Sequence, residues 1–164
     1  TLSGDAKKTA TLSDGSTIIG QKLDSEALSS GFLEVEVQGL NGPATVRLPE
    51  SFLEAVDGDG ALVITVMNSQ MRTGTTAAVS IRAASASRGW VSVQGLKEPI
   101  YFTLPVEAES AHCAYWDEEK EKWSDEGMTT LGADSEGMLS CSSIHLTLFA
   151  AILDGFISAL LCSK

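Results

Sequence analysis

The chain has 164 residues and a hydrophobic fraction of 43%, which suits one domain with a sizeable buried core. Its formal net charge of −11 argues against a surface that binds nucleic acid or an anionic membrane. The longest apolar tract runs from Leu146 to Cys162 and is interrupted by Asp154 and Gly155. It therefore falls short of the roughly 20 apolar residues of a membrane-spanning helix.

Short β-rich runs between turn signals predict an all-β fold, an antiparallel two-sheet β-sandwich. In one run, Leu33, Val35 and Val37 alternate with polar residues, as in a strand with one face in water. The predicted strands cover residues 16–20, 32–38, 44–48, 61–67, 77–83, 90–94, 100–104, 113–116 and 145–153.

One segment, residues 49–56, is a candidate helix. Pro49 suits the first turn of a helix, and Ser51 and Glu54 have the spacing of a capping box. No internal repeat and no linker rich in proline or serine divides the sequence. We therefore expect a single domain over residues 1–164, with at most one or two short helices.

An acidic loop, Asp57-Gly58-Asp59-Gly60, raises the question of calcium binding, because carboxylate oxygens are the ligands that Ca²⁺ prefers. The loop lacks the third ligand and the later glutamate of an EF-hand. A plain turn is the better interpretation, and we expect neither a metal nor a cofactor.

The three cysteines are Cys113, Cys141 and Cys162, and no pair has the CxxC spacing of a zinc or redox site. An odd number is compatible with one disulfide and a leftover thiol, or with three buried thiols. His112 precedes Cys113 in a predicted strand, where neighbouring side chains point to opposite faces. This placement argues against a cysteine–histidine hydrolase dyad.

The region from residue 113 to about 150 contains cysteine, aromatic and glycine residues that lead to a His-Leu-Thr triplet. They are Cys113, Tyr115, Trp116, Trp123, Gly127, Cys141, His145, Leu146, Thr147 and Phe149. This order resembles the GPS proteolysis motif, which forms the last strands of the GAIN domain in adhesion receptors and polycystin-like proteins. The spacing of the preceding strands is similar to the β-sandwich half of that domain.

The resemblance implies a disulfide between Cys113 and Cys141. Family members commonly have four cysteines, with the first bonded to the third and the second bonded to the fourth. Here Met128 and Ser143 stand at the second and fourth positions, so both members of one bridge are missing together. Cys162 has no counterpart, and we assign it no role.

The resemblance also implies self-cleavage between Leu146 and Thr147, at most once per chain. In a strand, His145 and Thr147 share a face, so the imidazole can take the proton of the threonine hydroxyl. With the backbone kinked at Leu146, the Thr147 oxygen attacks the Leu146 carbonyl carbon in an N-to-O acyl shift, and water then splits the ester. Ile144 stands where the family usually has asparagine.

Three functions are compatible with the sequence. The first is a self-cleaving module on the extracellular or lumenal side of a larger membrane-anchored protein. Its partners would be its own C-terminal fragment, residues 147–164, which ends in an apolar stub at 151–164, and other parts of that protein. The second is the same sandwich, uncleaved, as a structural or interaction module. The third is a carbohydrate-binding sandwich, but the aromatic residues cluster near the predicted bridge rather than on an exposed platform.

Overall fold

The structure, a computed structural model, describes residues 7–13, 15–39, 42–67, 75–107 and 111–153. Within these ranges the chain is all-β, as predicted, with thirteen strands and one 3-10 helix (Glu50–Val56). The strands are β1 (Lys7–Thr11), β2 (Thr17–Leu23), β3 (Phe32–Gly39), β4 (Gly42–Pro49), β5 (Gly60–Val66), β6 (Thr75–Ser85), β7 (Gly89–Val91), β8 (Ile100–Glu107), β9 (Ala111–Asp117), β10 (Lys122–Ser124), β11 (Met128–Ala133), β12 (Met138–Ser143) and β13 (Leu148–Leu153). Residues 154–164, including Cys162, lie outside the described ranges.

The strands form two antiparallel sheets around one core, which confirms the predicted sandwich. The larger sheet has the order β1-β2-β5-β6-β13-β9-β10, with β7 also paired to β6, and the smaller sheet has the order β11-β12-β8-β4-β3. Ile64 and Ile81 of the larger sheet and Leu104 of the smaller sheet are fully buried in the same cluster. The predicted alternation in β3 is also confirmed, since Val35 and Val37 are buried and Glu34 and Glu36 are exposed.

Several predicted boundaries are wrong. The run at 90–94 is a strand only to Val91, and the strand predicted over 145–153 begins at Leu148. Four strands were not predicted, namely β1, β10, β11 and β12. The last two have sequences rich in serine, threonine and glycine, MTTLGA and MLSCSS, which lack the alternation on which the prediction relied.

The predicted helix is present as a 3-10 helix that buries Phe52 and Val56. The capping box is wrong, because Pro49 is the N-cap residue and no side chain caps the helix. The helix ends at Val56 and is capped by Asp57, whose backbone is left-handed with φ of 57°. In the part of the chain that the structure describes, no helix has the length and apolar character needed to cross a membrane.

Asp57, the first acidic residue of the candidate calcium loop, is held by protein groups. Its carboxylate accepts hydrogen bonds from Arg88 Nε at 2.7 Å and Ser85 Oγ at 2.9 Å. The Arg88 hydrogen bond, followed by that of Ser85, holds the pKa of this carboxyl below its ordinary value of 3.8. The Asp57–Arg88 ion pair therefore connects the end of the 3-10 helix to the β6–β7 hairpin.

Candidate functional site

The His-Leu-Thr triplet lies in a bend between two strands of different sheets. β12 of the smaller sheet ends at Ser143, β13 of the larger sheet begins at Leu148, and residues 144–147 belong to neither. His145 and Thr147 are therefore not side chains on one face of a strand, and that part of the sequence argument is wrong. The backbone bends at residues 144, 145 and 147, on either side of Leu146.

Backbone hydrogen bonds from two separate elements hold the bend. They join the Leu96 amide to the Ile144 carbonyl (3.0 Å), the Leu146 amide to the Val93 carbonyl (3.1 Å) and the Ile81 amide to the Thr147 carbonyl (3.0 Å). The first two come from the irregular segment after β7, and the third comes from β6. The Leu146 amide and the Thr147 carbonyl flank the peptide bond between these residues, so that bond is held from both sides.

The imidazole of His145 is half-buried and contacts a polar group at each ring nitrogen. Nδ1 lies 3.3 Å from the Ser143 hydroxyl oxygen, and Nε2 lies 3.4 Å from the Glu126 carbonyl oxygen. A carbonyl oxygen can only accept, so in the neutral ring the proton belongs on Nε2 and the lone pair on Nδ1. Nδ1 is then the nitrogen that can act as a base.

Two aromatic rings pack against the imidazole. Tyr115 meets it edge to face with ring centroids 4.3 Å apart, and Phe149 stacks parallel to it at 6.0 Å. Phe149 also packs on Phe102 in the core at 4.5 Å. Gly127 borders the same ring, since a β-carbon there would lie 3.6 Å from its Cδ2 atom. The structure thus brings together four predicted motif positions: His145, Tyr115, Phe149 and Gly127.

Trp116 and Trp123 do not belong to this group. They are cross-strand partners on β9 and β10, with ring centroids 5.4 Å apart. Trp123 packs against a small cluster of buried alanines that includes Ala114, which neighbours Tyr115 in β9 and therefore faces the other side of the sheet. The tryptophan pair covers the outer face of the larger sheet, away from the imidazole.

The predicted disulfide between Cys113 and Cys141 is present. It joins β9 of the larger sheet to β12 of the smaller sheet with 6.0 Å between the α-carbons, and both residues are fully buried. The bridge excludes the alternative of three free thiols, and it leaves Cys113 without a thiolate for a dyad with His112. Met128 and Ser143 are cross-strand partners, so the two positions of the missing bridge face each other.

Comparison with known proteins identifies the family. The family model described as GPS: GAIN subdomain B matches residues 41–155, well over half of the chain. The chain belongs to this family. Among curated proteins, the mouse Adhesion G protein-coupled receptor G3 is 29% identical over 135 residues, with 71% of this chain covered. The match covers 24% of the receptor, so the chain corresponds to about a quarter of that relative's length.

In this GAIN subdomain B, Ser143 is the site residue that the sequence argument missed. Its Oγ accepts a hydrogen bond from the His145 amide at 3.1 Å and donates one to the His145 carbonyl at 2.9 Å. Within the described residues, the His145 ring hydrogen-bonds to Ser143 and Glu126 and not to the Thr147 hydroxyl. The available signal was the spacing of Ser143, two residues before the histidine, which mirrors that of Thr147.

The exposed aromatic residues of the domain correct the expectation that all aromatics cluster near the bridge. Trp90 is 55% exposed on β7, and Tyr101 is 46% exposed on β8. Tyr101 neighbours the buried Phe102 in β8, so its ring points outward from the smaller sheet. Trp90 lies on β7 of the larger sheet, which pairs with the strand that contains the buried Ala83, and its ring points outward from that sheet. Trp90 and Tyr101 therefore do not share a face, and the third exposed ring among the described residues, Phe32, has the Arg47 guanidinium over it at 3.9 Å from its centroid.

Proposed function

We propose that this GAIN subdomain B is an extracellular, membrane-proximal module of a larger membrane-anchored protein and cleaves itself once between Leu146 and Thr147. The observation that carries the proposal is the bend at residues 144–147, which keeps the triplet out of regular strand pairing. The similarity to an adhesion receptor supports the location. The hydroxyl and the carbonyl carbon belong to adjacent residues of an anchored segment, so the attack is intramolecular and gains from proximity.

The chemistry follows from the groups in the bend. The Thr147 hydroxyl approaches the His145 ring and gives its proton to Nδ1, which the Ser143 hydroxyl hydrogen leaves free by turning to the His145 carbonyl. Contacts of this kind often tighten only during reaction. The Thr147 oxygen bonds to the Leu146 carbonyl carbon, the C–N bond breaks, and the nitrogen takes up the proton. The resulting ester joins Leu146 to the side chain of Thr147, whose amine is now free, and water hydrolyses it to a Leu146 carboxylate and the restored Thr147 hydroxyl.

The two fragments should remain associated, which makes the C-terminal fragment a partner of the rest of the domain. β13 lies between β6 and β9 and pairs with both, and Phe149 and Ala151 are fully buried. The new chain ends would lie in the bend, outside these ladders. Cleavage would therefore leave the hydrogen bonds and the buried surface of β13 in place.

Mass spectrometry under denaturing conditions tests the proposal. The purified chain should give two masses that meet at Leu146/Thr147 in place of one mass of 17.2 kDa. The Thr147→Ala variant should give the single mass, and His145→Gln should slow the appearance of fragments. A single mass for the folded, unaltered chain, or fragments from Thr147→Ala, would contradict the proposal.

A second candidate function is the uncleaved domain as a structural or interaction module. It is favoured by one observation, the engagement of both His145 nitrogens by groups other than Thr147. In that case the same mass measurement gives one species, and that species has a cooperative unfolding transition.

A further inference from the structure

We propose that Ser143 is a positioning residue that orients the imidazole of His145 for cleavage. The inference rests on the proposed function. Ser143 does not contact the reacting atoms in this assignment, and it acts through the histidine. The structural basis is a set of three contacts that one hydroxyl makes with a single residue two positions later.

Ser143 is a rigid support. It is the last residue of β12, it is 1% exposed, and it pairs with Ile100 on one side and Met128 on the other. Its hydroxyl bonds both the amide and the carbonyl of His145, which fixes the backbone as it leaves the strand. The direction in which the imidazole leaves the bend is therefore set by a side chain that has little freedom of its own.

The same hydroxyl suits both protonation states through which a general base passes. In the neutral ring, Nε2–H donates to the Glu126 carbonyl, and the Ser143 O–H can donate to the Nδ1 lone pair. In the charged ring, Nδ1–H donates to Ser143 Oγ, and the O–H turns to the His145 carbonyl 2.9 Å away. One rotation of the hydroxyl hydrogen, between Nδ1 in the neutral ring and the His145 carbonyl in the charged ring, therefore keeps a partner at both ring nitrogens in each state.

The chain offers a matched control in the adjacent residue. Ser142 is also in β12 and is 8% exposed, but strand alternation directs its side chain to the face opposite that of Ser143. The Ser142→Ala variant removes a hydroxyl of equal size from the same strand and leaves the contacts to His145 intact.

The first test follows cleavage over time, by mass, after synthesis in an oxidising cell-free reaction. Loss of the Ser143 hydrogen bond to the half-buried imidazole should slow cleavage about tenfold in Ser143→Ala. Ser142→Ala should cleave at the unaltered rate, and Ser143→Thr, which keeps the hydroxyl, should recover most of the rate. If Ser143→Ala does not fold, Ser143→Cys keeps the volume with only a weak donor, and the same slowing is expected.

The second test does not need cleavage and so separates this inference from the proposed function. In the Thr147→Ala background, the ¹⁵N shifts of the His145 ring should report a proton on Nε2, and a further Ser143→Ala change should mix the two tautomers. If the chain never cleaves but this change is seen, the positioning role stands and the proposed function fails. An unchanged tautomer together with an unchanged cleavage rate would overturn the positioning role.

Discussion

The phenyl ring of Phe149 lies parallel to the imidazole of His145, with 3° between the ring planes and 6.0 Å between the centroids. The same phenyl ring packs on Phe102 at 4.5 Å and is fully buried. The histidine of the bend is therefore connected to the core through the second residue of β13. Phe149 therefore takes part both in the packing of the core and in the surroundings of the imidazole.

Replacement of Phe149 by alanine should lower the free energy of unfolding by about 3–5 kcal/mol, because it removes a buried ring and leaves a cavity. Denaturant titration measures the change. Leu131→Ala is the control, since Leu131 is 50% exposed and its loss should change the free energy by less than about 0.5 kcal/mol. Equal effects of the two changes would show that Phe149 is not a core residue.

The Cys113–Cys141 bridge takes up two of the three cysteines of the sequence, and the third, Cys162, lies outside the described residues. A thiol reagent should therefore label one cysteine per denatured, unreduced chain and three after reduction. Because the bridge spans a sequence separation of 28 residues, its loss should cost about 3–4 kcal/mol of unfolding free energy. Three labelled cysteines before reduction would contradict the bridge.

The fold class and the bridge could be predicted from the sequence, and the geometry of the bend could not. The alternation of apolar and polar residues in β3 is a pattern of the local sequence. The paired loss of cysteines at positions 128 and 143 is a departure from the family pattern. The course of residues 144–147 depends on hydrogen bonds from Val93, Leu96 and Ile81, which are about 50 or more positions away in the chain. The sequence of the triplet itself contains no periodic pattern that would indicate these long-range hydrogen bonds.

The hydrogen-bond partners of His145 could not be predicted for the same reason. An extended strand would place His145 beside Thr147, but the bend turns the ring toward Ser143 and the Glu126 carbonyl. A polar strand such as MLSCSS also carries little apolar signal, so the strand that ends at Ser143 was not predicted. The prediction of this site was weakest where tertiary contacts override local preference.

The Asp57–Arg88 pair should make stability depend on acid pH in one direction. The folded-state pKa of Asp57 lies below 3.8, so its stabilising effect is present above that value and is lost as the pH falls through the lowered pKa. Asp57→Asn should melt at a lower temperature than the unaltered chain at pH 7, and this difference should shrink below pH 3.8. Asparagine tolerates the left-handed backbone, so the change isolates the charge.

Thermal unfolding followed from pH 7 to pH 2 measures this dependence. Arg88→Gln is the companion variant, because it removes the guanidinium and should give a similar loss near neutral pH. If the difference in melting temperature between the unaltered chain and Asp57→Asn grew as the pH fell, the Asp57 carboxylate would not be stabilising.

The fragments of the cleaved chain should separate only when the domain unfolds, because β13 pairs on both sides. Size-exclusion chromatography in native buffer should give one peak that contains both fragments, and guanidinium should release the short one. Phe149→Ala should move this release to a lower guanidinium concentration. Separation of the fragments in native buffer would show that β13 is not held by its ladders.

The central claim is that the Thr147 hydroxyl is the nucleophile, and a pair of substitutions tests it most directly. Thr147→Ser keeps a hydroxyl, and Thr147→Val keeps the shape of the side chain without one. Both preserve the Thr147 carbonyl that accepts from the Ile81 amide. Denaturing mass spectrometry should find two fragments for the unaltered chain and for Thr147→Ser, and one intact mass for Thr147→Val. Fragments from Thr147→Val that meet at the same bond would contradict the account.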